Sequence, residues 1–516
     1  MKINWERMTF IFVGILTLMR LAVAPTFGLG VDEAHYFLYA HFLDWSYVDH
    51  PPLVGWTQWP LYALFGTNEF LVRLPAILLF ALVSFYVYRY TFSFSKSKVI
   101  SFLSVVAVNS SFILNAMGIM LLPDCFLLLL VFPLMTTILK ITEEGKTRYF
   151  IYLGLLLGLA GLAKYTAILF VPPLLIFLLI KKRFKLIFSS GMLLAAGIAL
   201  LMISPVLYWN MQNDFISFRY QGGHVLAATS PSIKSFFVSL LTQFGAYSPF
   251  LFLMAFYGLY KGWKSKDDHI RLSVLFGVVI LLFFFYSSLY ERTLPHWPSL
   301  FYLLFIPIGG YYLLSAESSK KRKYFYFSVG FSLTITLFLY AALPAKWFTF
   351  PEYKSPFRDI VGFETIAREG DAILRQRSVA KATAPGAAVV SAPPVGAAGD
   401  AYGRAGYSAG VAPASHRRAL AVTNWTMGSR MLYYNLPYGH DVFVIDDRKD
   451  QFDVWQRTAP KGYDLLFVNT HFHQVDVPQT YRCDSSEPAK KMDITLNGGK
   501  IDTIEYVWCR NFQGPR

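Results

Sequence analysis

Charge is scarce in this chain. Only 15% of its 516 residues are Asp, Glu, Lys or Arg, where a soluble globular chain carries about a quarter. Cysteine is scarcer, with three in all. Cys125 falls inside an apolar run, so only Cys483 and Cys509 remain as a pair that an oxidising compartment could join. Spacing alone leaves that bridge open. A cleavable leader pattern is also missing; Met8 to Val23 reads as a retained first span. There is no P-loop or dinucleotide fingerprint, which argues against a nucleotide-linked substrate used in the cytosol. No internal repeat stands out, and repeats are what many transporters show.

What is present is apolar length. Up to about Pro344 the chain is a series of runs long enough to cross a bilayer, which takes roughly 20 residues as helix. So many runs cannot share one soluble core, and the expected fold is a polytopic α-helical membrane protein. Spans are expected at 8–25, 70–92, 99–117, 122–140, 149–164, 166–181, 187–207, 235–260, 272–290, 299–315 and 325–343, about eleven in number. The net charge of +15 sits in short clusters such as Lys181-Lys182-Arg183 and Lys320-Lys321-Arg322-Lys323 beside those runs. That is the positive-inside pattern of a membrane protein, and it argues against nucleic acid as the partner. With Met1 to Arg7 inside, every basic cluster is cytoplasmic. The loops 26–69, 118–121, 208–234 and 291–298 and the tail from 344 are then outside. This gives a membrane domain, 1–343, and an extracytoplasmic domain, 344–516.

The tail reads as a small α/β domain. ALAVTNW, DVFVIDD, YDLLFVNT and TIEYVWC have strand character, with a helix at Ser429 to Tyr434. Between 378 and 415 an Ala/Gly/Pro-rich segment breaks the pattern and reads as a linker or loop.

The first external loop is unusually dense in chemistry. GVDEAHYFLYAHFLDWSYVDHPPLVGW, Gly30 to Trp56, carries Asp32, Glu33, His35, Asp44, Asp49 and His50 and then a rigid Pro51-Pro52 step. Asp124 in MLLPDCF begins a span from the same side, and Lys164 in GLAKYT lies midway between two basic cytoplasmic flanks. Arg219 and His224 in NDFISFRYQGGHV, and Glu291, Arg292 and His296 in YERTLPHWP, add polar groups on that side. A carboxylate at the bilayer centre costs roughly 2.5–3.5 kcal/mol on insertion scales, so such groups usually face a cavity or a partner. For each alone a plainer role stays open: a helix end meeting water, or a lysine snorkelling to the interface. Carboxylates and cations over a greasy bundle suit a substrate with a phosphate head, a polar transferable group and a lipid tail. Asp49, His50 and His224 have the right ligand types for a divalent metal, yet such residues in loops also simply face water.

The order DEAHY, DHPPLVGW, LPD, GLAKYT, WNMQNDFISFRYQ and LPHWP, followed by NWTMGSRMLYYNLP and RKDQFDVW, resembles the bacterial branch of the dolichyl-phosphate-mannose-protein mannosyltransferase superfamily. That branch includes the aminoarabinose transferase of lipid A and related lipid A sugar transferases. The resemblance implies a type-C glycosyltransferase fold, a polyprenyl-phosphate-sugar donor, and a lipid A or other envelope lipid or glycan acceptor. It places the active site on the periplasmic side of the bacterial inner membrane. It implies Asp32 as principal catalytic acid, with Glu33 beside it and Asp124 in the same cavity. It also matches Lys164 to a donor-phosphate lysine and sets His224 near a metal-binding histidine. Arg219, Arg292, His296 and His50 are further candidates for the donor phosphate, and Asp49 with His224 for the metal. The family's Glu-Lys before Pro-Pro is Asp49-His50 here, which alters both roles.

The chemistry supports this reading independently. Displacing phosphate from an anomeric carbon needs stabilisation of developing negative charge, which Lys164 and Arg219 could supply. A hydroxyl acceptor needs a carboxylate base within hydrogen-bond reach, and Asp32 is the candidate; a phosphate acceptor needs none. A single displacement inverts the anomeric carbon, whether the sugar is a hexose or a pentose. The competing reading is a lipid or sugar transporter with no chemical turnover.

Overall fold

The computed structural model describes residues 3–226, 230–382, 417–456 and 459–516. Beyond Ala382, the linker expected at 378–415 lies outside the described residues. The chain divides into two compact units. The first comprises Met1–Ala24, Trp45–Val54 and Arg73–Ala341, and the second Pro25–Asp44, Gly55–Val72 and Ala342–Arg516. Most of the first external loop, counted above with the membrane domain, therefore belongs to the same unit as the tail.

The first unit is helical. Among the described residues, six helices are long and apolar enough to cross a bilayer: Trp5–Thr26, Glu69–Ser95, Pro123–Glu144, Ser190–Gln212, Asp268–Tyr290 and Ser319–Ala345. Lys98–Ser110, Thr147–Ala163, Tyr165–Ile180 and Ser299–Leu314 are apolar but shorter, and fall where four further spans were expected. The single span expected at 235–260 is instead two helices, Ile233–Ala246 and Pro249–Gly262, bent by 107°. The cause is local. Ser248 takes φ +71°, and Pro249, with no N–H and a fixed φ, starts the second helix rather than continuing the first.

Helix Pro249–Gly262 then packs closely on Ser299–Leu314. A methyl group on Gly258 would lie 2.6 Å from the Phe305 carbonyl oxygen, and one on Gly309 would overlap the Met254 carbonyl. Small residues permit this backbone approach where no hydrophobic effect drives helices together. The contact fixes the helix that follows His296 and Trp297.

One buried cation was not singled out by the motif order. Arg20 is completely buried in the first span. Its Nη2 donates to the Oδ1 atoms of Asn109 and Asn115, each at 2.7 Å, and its guanidinium lies 4.8 Å from the Phe80 ring centroid. The Tyr340 hydroxyl donates to the same Asn115 oxygen at 2.9 Å. These bonds tie the first span, the break at Ser110–Ser111 and the last span to the segment that leads into Asp124.

The second unit holds a five-stranded sheet. Its strands are β1 (Arg418–Val422), β2 (Val442–Val444), β3 (Asp464–Thr470), β4 (Ser485–Leu496) and β5 (Gly499–Arg510), in the order β2-β1-β3-β5-β4. β1 pairs in parallel with β2 and β3, while β5 pairs antiparallel with β3 and β4. Alternation along the strands serves two cores. Leu420, Val422, Leu466 and Val468 meet helices Phe363–Ala382 and Trp425–Asn435 on one face, and Ala419, Ala421, Leu465 and Phe467 pack with Tyr481 and Phe512 on the other. The four strands and the helix expected from sequence are present; β4 and helix Phe363–Ala382 are additional.

Cys483 and Cys509 are joined, with Cα atoms 5.3 Å apart and a sequence separation of 26. Closing a loop of that length restricts the unfolded chain by about 3.5 kcal/mol on the chain-entropy model. The Cys483→Ser/Cys509→Ser variant should therefore lose about 3 kcal/mol of stability in denaturant titration. Adding reductant to the wild-type protein should reproduce the loss, and Cys125, buried in a span, should not contribute.

Candidate active site

Asp124 and Lys164 form a buried ion pair at helix ends of the first unit. Asp124 stands in the first turn of helix Pro123–Glu144, behind Pro123 at the N-terminus. There the helix dipole favours a carboxylate. Lys164 ends helix Thr147–Ala163 with extended backbone, φ −155° and ψ 140°, before the 3-10 turn Tyr165–Phe170. Its Nζ donates to both carboxylate oxygens of Asp124, at 2.8 and 2.7 Å, and the two side chains are only 8% and 7% exposed. His296 brings Nε2 to 3.9 Å from Asp124 Oδ2, and the Trp297 ring centre lies 6.0 Å from Lys164 Nζ.

The supports of this cluster come from distant segments. Tyr247 stacks on Tyr302 with ring centres 3.6 Å apart, and its hydroxyl donates to the Pro295 carbonyl at 2.9 Å, holding the turn that carries His296. Cys125 Sγ lies 3.3 and 3.4 Å from the Met117 and Met120 carbonyls, which fixes the turn before Asp124. A hollow of about 20 Å³ opens beside Asp124, Thr166, Phe170, Phe284 and Trp297. It has room for about one water.

Asp49 and His50 belong to the same unit. Tyr165, next to Lys164, shares a hydrogen bond with Ser46 Oγ at 3.2 Å. Ser217 Oγ donates to the Tyr47 carbonyl at 2.9 Å and Gln221 Nε2 to the Asp49 carbonyl at 2.7 Å. The helix Ile216–Leu226 thus grips the DHPP segment by its backbone. Arg219 on that helix and Arg292 are exposed. The His224 side chain lies outside the described residues. Among the described residues, no three His, Cys, Asp or Glu side chains converge to hold a metal.

Asp32 and Glu33 belong to the second unit, in the first turn of helix Val31–His41. Their environments differ. Glu33 is 1% exposed and its Oε2 accepts from the Gly30 N–H at 3.0 Å, so it caps its own helix. Asp32 is half-buried. His35, in the same motif, is enclosed by Tyr36, Tyr39, Trp425 and Trp455 with ring centres 5.4–5.8 Å away. Its Nδ1 is 3.0 Å from Ser429 Oγ. The helix is held further by the Tyr434 hydroxyl, which accepts from the Leu29 N–H at 2.8 Å, and by Phe37 against Tyr433. DEAHY and NWTMGSRMLYYN, nearly 400 residues apart, are thus one packed pair of helices.

Near His35, burial pushes the Asp450 carboxyl up to about 6 from 3.8, despite the hydrogen bond it accepts from Phe452 N–H at 2.8 Å. A carboxyl with a raised folded pKa favours folding below its unfolded pKa, and that contribution is lost as pH rises through the folded value. Asp450→Asn keeps the acceptor and should stabilise the protein at pH 7 by about 2 kcal/mol, with the gain vanishing below about pH 4. Melting curves of both proteins at pH 4 and pH 7 measure it.

Comparison with known proteins agrees with this architecture. The family model described as dolichyl-phosphate-mannose-protein mannosyltransferase matches residues 49–209, which include Asp49, His50, Asp124 and Lys164 but not Asp32. A curated relative, lipid A galacturonosyltransferase RgtD of Rhizobium johnstonii, is 22% identical over 277 residues. That match takes in 52% of this chain and 57% of the relative, so the chain spans little more than half the length of the curated protein it matches. The crystal structure of ArnT from Cupriavidus metallidurans bound to undecaprenyl phosphate superposes with a TM-score of 0.59 at 12% identity, covering 96% of this chain and 97% of that one. Its apo form gives 0.59 at 13% identity, covering 97% and 98%. At such identity the structures establish the fold alone, a multi-pass helical membrane part with a small α/β domain. Residues 49–209 are thus similar to the dolichyl-phosphate-mannose-protein mannosyltransferase family, on a fold similar to that of ArnT.

Proposed function

We propose that this protein is a glycosyltransferase that moves a hexose or pentose from a polyprenyl-phosphate carrier to lipid A or another envelope lipid or glycan, on the periplasmic face of the inner membrane. The observation that carries the proposal is the buried Asp124–Lys164 pair at the ends of two apolar helices. A charged pair kept in such a place marks function more often than stability. The relative's activity on lipid A and the undecaprenyl phosphate of the ArnT crystal supply the substrate classes.

The reaction is a displacement. The acceptor oxygen attacks the anomeric carbon as its bond to the donor phosphate oxygen breaks, and the electron pair leaves with the phosphate. Inversion follows. Lys164 offsets the charge gathering on that phosphate, exchanging one anionic partner, Asp124, for another. Asp32 takes the proton of a hydroxyl acceptor; toward a phosphate acceptor it orients the nucleophile.

Mass spectrometry of lipid A and surface glycans from cells with and without the gene tests the function. The expected result is a sugar-sized mass addition present only with the gene. Flux of a lipid or sugar into protein-containing vesicles, with no chemical change in either, would establish the transporter instead.

A further inference from the structure

A hollow in the second unit lies away from both pairs of acids. It has a volume of about 320 Å³, at the lower end of the range for small-molecule sites. Its walls include the ends of three membrane helices: Pro25 and Thr26 at the close of Trp5–Thr26, Glu69 at the start of Glu69–Ser95, and Leu343 and Lys346 at the close of Ser319–Ala345. A cavity framed by such ends sits at the level where a bilayer meets water. The exposed Trp347 beside Lys346 is the residue type that prefers that level.

The lining has two chemistries. Phe348, Phe357, Ile360 and Leu496 supply apolar wall, while Glu69, Lys346 and Glu364 supply charge of both signs. None of these three charged groups has a protein ion-pair partner among the described residues, whereas Asp359, Glu369, Asp371, Asp464 and Glu505 of the same unit do.

We propose that this cavity binds a membrane phospholipid with a zwitterionic ammonium-phosphate headgroup. Lys346 meets the phosphate, Glu69 and Glu364 meet the ammonium, and an acyl chain lies along the aromatic wall. An anionic phospholipid would satisfy the lysine and confront two carboxylates. A soluble zwitterion would leave the apolar wall wet. The site is independent of the transfer reaction and requires only that the chain spans a membrane.

The purified protein, reconstituted in nanodiscs with equal phosphatidylethanolamine and phosphatidylglycerol and released for native mass spectrometry, tests the proposal. The wild type should retain phosphatidylethanolamine over phosphatidylglycerol by about tenfold, the worth of two partly exposed charge pairs. In Glu69→Gln/Glu364→Gln the ratio should fall to about one. Ile360→Trp, which fills the hollow, should lose the retained lipid. Because that variant alters a wall, the surface double variant keeps the test decisive if Ile360→Trp does not fold. An unchanged ratio in the double variant, equal retention by the wild type, or no retained lipid would overturn the proposal. So would glycerophosphoethanolamine competing as well as the lipid, since the ligand would then be a free headgroup.

Discussion

Asp124→Asn is expected to lose about 3–5 kcal/mol of stability, because it strands the Lys164 ammonium in a site that is less than a tenth exposed. The carboxylate accepts two hydrogen bonds from Lys164 and has His296 at 3.9 Å. An amide offers one acceptor and turns an N–H toward the cation. Lys164→Met should cost a similar amount, by leaving Asp124 uncompensated. The double variant Asp124→Asn/Lys164→Met removes both charges at once, and buried pairs replaced together are often neutral. It should recover most of the lost stability, and this coupling is the signature of a direct pair. It should not recover sugar transfer. Thermal melts in detergent and a transfer assay on all four proteins separate the two. Recovered transfer in a refolded double variant would make the pair a structural clamp and remove Lys164 from the reaction.

How much of this was legible beforehand depends on the range of the forces involved. Apolar runs are local, so the positions of the apolar helices could be read directly, and the break at Ser248-Pro249 was the exception. There the residues needed to end one helix and begin another occur inside a run whose mean hydropathy hides them. In the second unit, β1, β2 and β3 show continuous apolar runs because both their faces are covered, and β5 shows partial alternation. β4 shows neither: SSEPAKKMDITL is solvated on most positions, as an edge strand can be, so no period announced it. Helix Phe363–Ala382 did carry a signal, with Phe363, Ile366, Ala367 and Leu374 buried at helical spacing. Arg20 also carried one, as a lone charge in LTLMRLAV.

The candidate site was legible in its residue types and not in its pairings. Asp124 and Lys164 stood out because charge is costly there, but 40 residues separate them and no local rule joins them. The same limit applied to DEAHY. Its residues looked equivalent in sequence, yet Glu33 caps a helix and His35 fills an aromatic core against a helix almost 400 residues later. Only Asp32 retains partial access to water. What looked like a loop crowded with chemistry is largely a docked helix with one candidate acid on it.

That distinction leads to the second large effect. Asp32→Asn should lower transfer by about 10²–10⁴-fold, the usual worth of a positioned base. The change is isosteric and the site is half-buried, so stability should fall by no more than about 1 kcal/mol, the helix-dipole term of a first-turn acid. Glu33→Gln is the control. It keeps an oxygen for the Gly30 N–H, and should leave transfer within about tenfold of wild type if Glu33 serves the helix and not the acceptor. The pH profile then identifies the role: a base gives wild type an acid limb that Asp32→Asn lacks, whereas an orienting group lowers transfer equally at every pH. Combining Asp32→Asn with Lys164→Met adds a further measure. Groups that act on one displacement are non-additive, so the double variant should be little slower than the worse single. Fully multiplying losses would mean that Asp32 and Lys164 contribute to separate steps, and the proposed mechanism would have to be divided between them.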